Sequence, residues 1–451
     1  MERLSAQDRL MLWPDEFWPQ DIGALAVLDG SGLLEPDGRF RIDAVRRAVG
    51  ARLHLVPRFR QLLHVPRPWL GGPLWVDAPR FDIADHVLVT QVPATGDEAA
   101  LLRVTEQLRR RRLDRSRPLW EMWFLTGLPG RRVGLFVRMH HAIADGIAGI
   151  ASIAAFLDAA PGSSVGPAPS WMPVPPPSGR ALFADALRER AGRLAHALAA
   201  LRRPVGTIRR MRAAWSQLPR LLAAPPTPHT GLDRVTGPDR TFAVLRAELD
   251  GARRIAHEHG ATINDVLLAV TAAGLCGLLR DRAARVENLM LPVYVPVTLR
   301  RADDREHARG NLIGQMVVPL PVGVSGPGRR LELITAATTA EKTRSHPDLG
   351  KMLRSRLARR ALRRFLDSHP VNVTTADLPG PPVPMYLAGA RVLEVFPILP
   401  LVADVTLGVG ALSYAGQLAI TVVADRDTIP DLDAFVTGAG EELRALTAVT
   451  V

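Results

Sequence analysis

Val133-Gly134-Leu135-Phe136-Val137-Arg138-Met139-His140-His141-Ala142-Ile143-Ala144-Asp145-Gly146 decides how this chain is read. An apolar run leads into two adjacent histidines. An Asp-Gly pair follows, and then small and apolar residues at helical spacing from Ile147 to Leu157. The order is strand, tight bend, helix, with both imidazoles at the bend. Histidine is the side chain whose ordinary pKa lets it take and return protons near neutrality, and a bend at a strand end is where a rigid scaffold presents such a group. The plainer alternative is a helix capped by Asp145, with two hydrogen-bonded histidines beside it.

The chain has 451 residues, enough for two or three domains and a large core. Apolar residues make up 47%, a globular proportion. No uninterrupted apolar stretch approaches the roughly 20 residues that span a bilayer, and Met1-Glu2-Arg3-Leu4-Ser5 lacks the basic-then-apolar order of a signal peptide. The expectation is a protein inside the cell. A single cysteine, Cys276, leaves no internal disulfide and no multi-cysteine metal site; it lies in an apolar helical run, Val266 to Leu279, as a core thiol.

The formal net charge is +12, carried almost wholly by arginine. Such a balance suggests nucleic acid, an anionic membrane surface or a phosphorylated substrate. Ten arginines against Asp185 and Glu189 fall between Arg180 and Arg220, an excess of +8. Leu182, Phe183, Leu187, Leu194, Leu198 and Leu201 recur there at helical spacing, with arginines on the other face. Ile208 to Leu222 suggests a second helix, and Lys351 to Leu366 a further basic one. Basic amphipathic helices can lie in a membrane interface; a solvated helix packed across two domains is the alternative. Aromatics are 5% and do not interleave with the basic runs, which argues against nucleic acid.

The remaining pattern is mixed α and β in both halves. Strands are expected at Ile22–Leu28, Phe81–Val92, Leu119–Leu125, Val133–Met139, Phe242–Leu249, Leu289–Val297, Val371–Thr375, Arg391–Phe396, Val405–Ser413 and Gln417–Ala424. Helices are expected at Ile42–Leu55, Asp97–Arg112, Ala252–His259, Thr262–Arg280, Arg329–Thr343 and Pro430–Leu446. Thr262 and Asp265 fit a capping box. His257-Glu258-His259 has no third ligand nearby, so no metal is expected. Proline-rich sequence after Pro161 separates an expected domain 1–160 from a linker with basic helices, 161–240, and a second domain, 241–451.

His140-His141-x-x-x-Asp145-Gly146 does not stand alone. Leu4-Ser5…Asp8, Pro118-Leu119-Trp120-Glu121, Asn264-Asp265-Val266, Pro296-Val297-Thr298-Leu299-Arg300, Gly310-Asn311, Leu378-Pro379-Gly380-Pro381, Ser413-Tyr414…Gly416 and Asp425-Arg426-Asp427…Pro430-Asp431 follow in order. With these blocks the chain resembles, over nearly its whole length, the bacterial wax ester synthase/acyl-CoA:diacylglycerol acyltransferase family of the chloramphenicol acetyltransferase-like superfamily. The resemblance implies an α+β fold of two chloramphenicol acetyltransferase-like domains with an active-site tunnel between them. It implies an O-acyltransferase that moves a fatty acyl group from acyl-CoA to the hydroxyl of diacylglycerol, a long-chain alcohol, or both. One departure from the family pattern is Ala376-Asp377, where Ser or Thr followed by Asn is usual.

The family pattern makes His141 the general base, which takes the acceptor's proton during attack on the thioester and returns it to the CoA thiolate. No acyl-enzyme is required and no cofactor beyond the acyl-CoA co-substrate. His140 shapes the site, and Asp145 caps its helix or pairs with an arginine, for which Arg300 is the candidate. Asn264, beside Asp265, would orient the base or meet the oxyanion, and Gly146 leaves room beside the bend. Pro118, Leu119, Trp120, Gly310, Asn311, Pro379, Gly380, Ser413 and Tyr414 are the candidate tunnel residues. Arg109 to Arg112 end a helix, where positive charge suits the macrodipole; a CoA phosphate site is the sharper alternative. The expected partners are acyl-CoA, diacylglycerol or a fatty alcohol, and the inner membrane or lipid inclusions that a cytoplasmic, peripherally bound enzyme would meet, as monomer or homodimer. The rival readings are a condensation-type or other alcohol acyltransferase of the same superfamily, and an inactive lipid-binding relative.

Overall fold

A computed structural model of the chain describes residues 2–12, 15, 17–162, 168–201, 230–298, 313–342 and 371–447. The first half comprises β1 (Glu2–Arg3), α1 (Ala6–Leu12), β2 (Asp21–Asp29), α2 (Ile42–Arg52), β3 (Gln61–His64), β4 (Leu74–Asp77), β5 (Val87–Gln91), α3 (Glu98–Arg110), β6 (Trp120–Thr126), β7 (Arg132–His140) and α4 (Gly146–Ala154). After the proline-rich stretch come α5 (Gly179–Leu201), β8 (Arg240–Glu248), α6 (Leu249–Glu258), α7 (Ile263–Asp281), β9 (Met290–Thr298), β10 (Ile313–Pro321) and α8 (Pro327–Lys342). β11 (Val373–Pro379), β12 (Tyr386–Leu387), β13 (Ala390–Ile398), β14 (Leu407–Tyr414), β15 (Gln417–Asp425) and α9 (Leu432–Thr447) complete the described chain.

Two six-stranded sheets result. The first runs β12-β13-β2-β7-β6-β5 and the second β10-β9-β11-β14-β15-β8; a small third sheet is β1-β4-β3. β7 lies between β2 and β6 and is buried at every residue after Arg132, which is why its sequence is a continuous apolar run rather than an alternating one. Val133, Leu135, Val137 and Met139 face the first half's core. Phe136 faces the other way, into a cluster with Leu25, Leu125, Phe396, Phe242 and Val423 that joins the two sheets.

β13 belongs by sequence to the second half, yet it pairs antiparallel with β2, from Ile398↔Gly23 to Val392↔Leu28. The division expected at 241 is therefore crossed by a strand. The physical reason is edge coverage: β2 would otherwise expose unpaired backbone, and Phe396 and Ile398 bury side chains as they cover it.

In the second half α7 is the core helix. It starts in a capping box, with Thr262 N–H donating to Asp265 Oδ2 (2.8 Å) and Asp265 N–H to Thr262 Oγ1 (3.3 Å). Among the described residues it is the helix long and apolar enough to cross a membrane, but 78% of that window is buried inside the protein. Cys276 is buried in it. α9 lies close against α7: a Cβ on Gly274 would sit 2.6 Å from the Phe435 ring, and one on Gly277 2.7 Å from Ala434 O.

Three local expectations differ. Phe81–Val92 yields a strand only at Val87–Gln91, because Asp82 accepts from Ala84 N–H (2.8 Å) and starts a turn instead. β11 runs on through Ala376-Asp377 to Pro379. β3 and β4 sit among Pro66, Pro68, Gly71, Gly72 and Pro73, too short for periodicity to show. The hairpin between β14 and β15 turns on Ala415 and Gly416, both at positive φ (46° and 83°), the two-residue turn that suits strand twist. Ile208–Leu222 and Lys351–Leu366 lie outside the described residues.

Candidate active site

β7 ends where its ladder does, at the pair Asp21↔His140. The backbone then bends: His141 N–H donates to Gln20 O (2.7 Å) and Ile143 N–H to His140 O (2.9 Å). α4 begins at Gly146, with Asp145 as its N-cap; Asp145 Oδ1 accepts from Ala148 N–H at 2.9 Å. The two histidines thus stand at a rigid strand-to-helix turn, and they do not have the same surroundings.

His140 is buried, 3% exposed. Its Nδ1 accepts from Ala142 N–H (3.0 Å), so the proton of the neutral ring sits on Nε2. That atom faces Asp15 Oδ1 at 3.4 Å, within ion-pair reach but without hydrogen-bond geometry. Burial works to raise the pKa of Asp15, but the His140 ring, the Gln20 N–H and Arg115 outweigh it and hold the carboxyl below the usual carboxylate range. His141, one residue on, is only partly buried.

Beneath the bend, Arg138 is 2% exposed and fully engaged. It donates to Glu121 on β6 (2.8 and 3.1 Å), to Asp21 on β2 (3.4 Å), and to the carbonyls of Arg109 (3.2 Å) and Arg111 at the end of α3. Burial raises the Asp21 carboxyl, against the pull of Arg138. Arg138 was legible only as part of the motif strand, and its two carboxylates come from strands distant in sequence.

The second sheet meets this turn through β11. A Cβ on residue 146 would lie 2.9 Å from Leu378 Cδ2, so glycine is what lets Leu378 close over the start of α4. Successive strand residues face opposite ways, which turns Asp377 from α4 toward α7. There the Asp265 carboxylate already accepts from the Thr262 backbone and hydroxyl and from Thr338 Oγ1 (2.7 Å). Burial, and then this neighbouring carboxylate, push Asp377 up to about 6. Asp265 is thus a structural cap, while Asn264 beside it is half-buried at the start of α7.

Other expected site residues take different places. Trp120 is sealed at 0% exposure, stacked on Phe59 (4.7 Å) and His86 (4.6 Å), with Nε1 donating to Phe59 O (2.8 Å). Tyr414 is buried, its hydroxyl accepting from Met385 N–H (2.7 Å) and donating to Val392 O (3.0 Å). Both are core pieces rather than lining, since each finds its polar partner within the protein. Pro118 is buried beside Leu119, and Leu119 lines a cavity of about 110 Å³ with Asp15, Asp21, Arg112 and His140. Gly380 approaches Ser413 closely, its N–H donating to Ser413 O (2.9 Å), and Pro379 is exposed. Arg300, Gly310 and Asn311 lie outside the described residues. No group of three or more metal-ligating side chains occurs among the described residues.

The sequence profile of the wax ester synthase/diacylglycerol acyltransferase catalytic domain matches residues 4–267, and that of the family's C-terminal domain residues 309–447. A Mycobacterium tuberculosis protein named a putative diacylglycerol O-acyltransferase is 33% identical over 450 residues, covering 94% of this chain and 92% of its own length. A second from that organism, named likewise, is 30% identical over 448 residues, with 96% and 92% covered. Among solved structures, the wax ester synthase/diacylglycerol acyltransferase of Marinobacter aquaeolei VT8 superposes with a TM-score of 0.68 at 24% identity, covering 99% of this chain and all of that one. The starter condensation domain of rhizomide synthetase, solved with C8-CoA and Leu-SNAC, shares the fold at TM-score 0.63 and 14% identity, with 99% and 94% covered. Two chloramphenicol acetyltransferase-like halves, the ordered blocks and these matches agree: the chain belongs to the wax ester synthase/diacylglycerol acyltransferase family of acyltransferases.

Proposed function

We propose that this protein transfers a long-chain fatty acyl group from acyl-CoA to the hydroxyl of diacylglycerol or of a long-chain alcohol, with His141 as general base. The observation that carries this is the contrast at the bend. His140 is buried, its Nδ1 taken by the Ala142 N–H and its Nε2 turned toward Asp15 without a hydrogen bond, whereas the next imidazole, His141, is partly exposed. The reaction passes the hydroxyl proton to His141 as oxygen attacks the thioester carbonyl; the tetrahedral intermediate then collapses, the C–S bond breaks, and the proton goes to the leaving thiolate. Asn264 would meet the oxyanion or orient the base, and substrates would approach between the halves. Cys276, buried in α7, offers no nucleophile for an acyl-enzyme.

The test is thiol release from palmitoyl-CoA with diacylglycerol and with hexadecanol in parallel, lipid products resolved, and an amine acceptor as the condensation-type control. Lipid esters formed without a carrier protein support the reading. Vesicle binding with no thiol release would leave only the lipid-binding relative.

The same reading places the protein at an anionic lipid surface. α5 buries Leu182 and Ala186 but leaves Phe183, Leu187, Leu194 and Leu198 exposed, on a helix that also carries Arg180, Arg188 and Arg190. Exposed apolar side chains among arginines match the interfacial pattern. Flotation with phosphatidylglycerol vesicles should recover the wild type, and Leu187→Asp with Leu194→Asp should weaken recovery several-fold.

A further inference from the structure

A cleft of about 290 Å³ lies where the N-terminal segment, the end of α3 and the chain before β8 meet. That volume is close to the lower end, about 300 Å³, of ordinary ligand pockets. Its charged lining is all arginine: Arg109, Arg110, Arg112 and Arg240. The acids stand behind them, Glu106 on Arg109 (2.5 Å), Asp239 on Arg110 (3.0 Å) and Asp425 on Arg240 (2.9 Å). A guanidinium carries five donors in a planar fork, so an arginine oriented by a carboxylate on one edge can still offer another to a phosphate.

Three details of the cleft suit an anion beside a flat ring. Arg240 is 3% exposed, and burial, then neighbouring Arg109, push it down to about 10 despite Asp425; an incoming negative charge would relieve both. The Thr236 hydroxyl is buried in the lining and has no hydrogen-bond partner. Phe17 stands 61% exposed among the arginines, its ring 5.7 Å from that of Trp18. The carbonyls at the end of α3 already receive Arg138, so compensation of the helix end does not by itself account for the arginine run. Pro19 and Arg112 are shared with the smaller cavity of about 110 Å³, which ends on His140.

We propose that this cleft seats the phosphorylated adenosine end of acyl-CoA, with Arg110 and Arg112 on the phosphates and Phe17 against the adenine, the pantetheine arm passing Pro19 toward the histidine pair. The assignment rests on acyl-CoA being the donor. Two measurements on the full chain test it. Calorimetry with adenosine 3′,5′-bisphosphate should show binding to the wild type, weakened at least about tenfold by Arg110→Gln with Arg112→Gln, as loss of charge-assisted bonds implies. In acyl transfer, the same double variant should raise KM for palmitoyl-CoA by a similar factor at nearly constant kcat and leave KM for palmitoyl-pantetheine, which lacks the nucleotide, unchanged. Phe17→Ala, which removes only an exposed ring, should weaken the nucleotide too, and stands in if the double variant does not fold. No binding of the bisphosphate by the wild type, or equal losses with both donors, would overturn the assignment and leave an ion-pair staple between the halves. Nucleotide binding without any acyl transfer would uphold the cleft and instead refute the acyltransferase reading.

Discussion

A single step along the backbone, from His140 to His141, changes what an imidazole can do. His140 is fixed by the Ala142 N–H and Asp15; His141 is partly open. His141→Ala should therefore lower acyl transfer by at least about a hundredfold, the low end of what a general base contributes, with an unchanged unfolding transition. Wild-type turnover in that variant would remove the base. Asp377 gives a pH prediction. A carboxyl moved from 3.8 to about 6 on folding binds its proton more tightly in the folded chain. Its contribution is neutral below the unfolded value, turns unfavourable as pH rises from about 4 to 6, and stays so above. The penalty there is on the order of 1–3 kcal/mol. Asp377→Asn should raise the urea midpoint at pH 7.5 and leave it nearly unchanged at pH 4; an equal shift at both would mean that packing, not ionisation, is responsible.

At the scale of elements, α4 and α7 are helices whose starts are set by side chains. Asp145→Ala removes a cap worth about 0.5–2 kcal/mol, and it should lower activity more than stability explains because the histidine turn is anchored to that helix. Comparison of kcat with the urea midpoint checks it. The α7–α9 contact depends on absent side chains. Gly277→Ala would set a Cβ 2.7 Å from the Ala434 carbonyl, a backbone atom that cannot swing away. An overpacking cost of about 1–3 kcal/mol is expected, read as a lower urea midpoint. Most of these elements were legible: the capping box at Thr262, the cap at Asp145 and the buried run of β7 are local signals. β3 and β4 were not, because strands of four residues among prolines carry no readable period; they pair with each other, and β4 takes its other partner, β1, from the start of the chain.

For the whole molecule, β13 is the decisive piece. It leaves the second half and completes the first sheet beside β2, and the joint apolar cluster around Phe136 draws on both halves. Residues 1–240 expressed alone should therefore lack a cooperative unfolding transition, since β2 would have a bare edge and Phe136 no cover. A sharp transition from that fragment would show that the halves fold independently.

The chain itself determined the motif turn, most helices and strands, and the family, because each is written in residues near one another or in blocks whose order survives in one dimension. Tertiary structure alone decided which histidine is open, that Trp120 and Tyr414 are core rather than lining, that Asp377 meets Asp265, and that the arginines ending α3 face Arg240 across a cleft. These depend on who is adjacent once the sheets have packed. Burial and the field of a neighbouring charge are properties of that arrangement, and no spacing along the sequence encodes them.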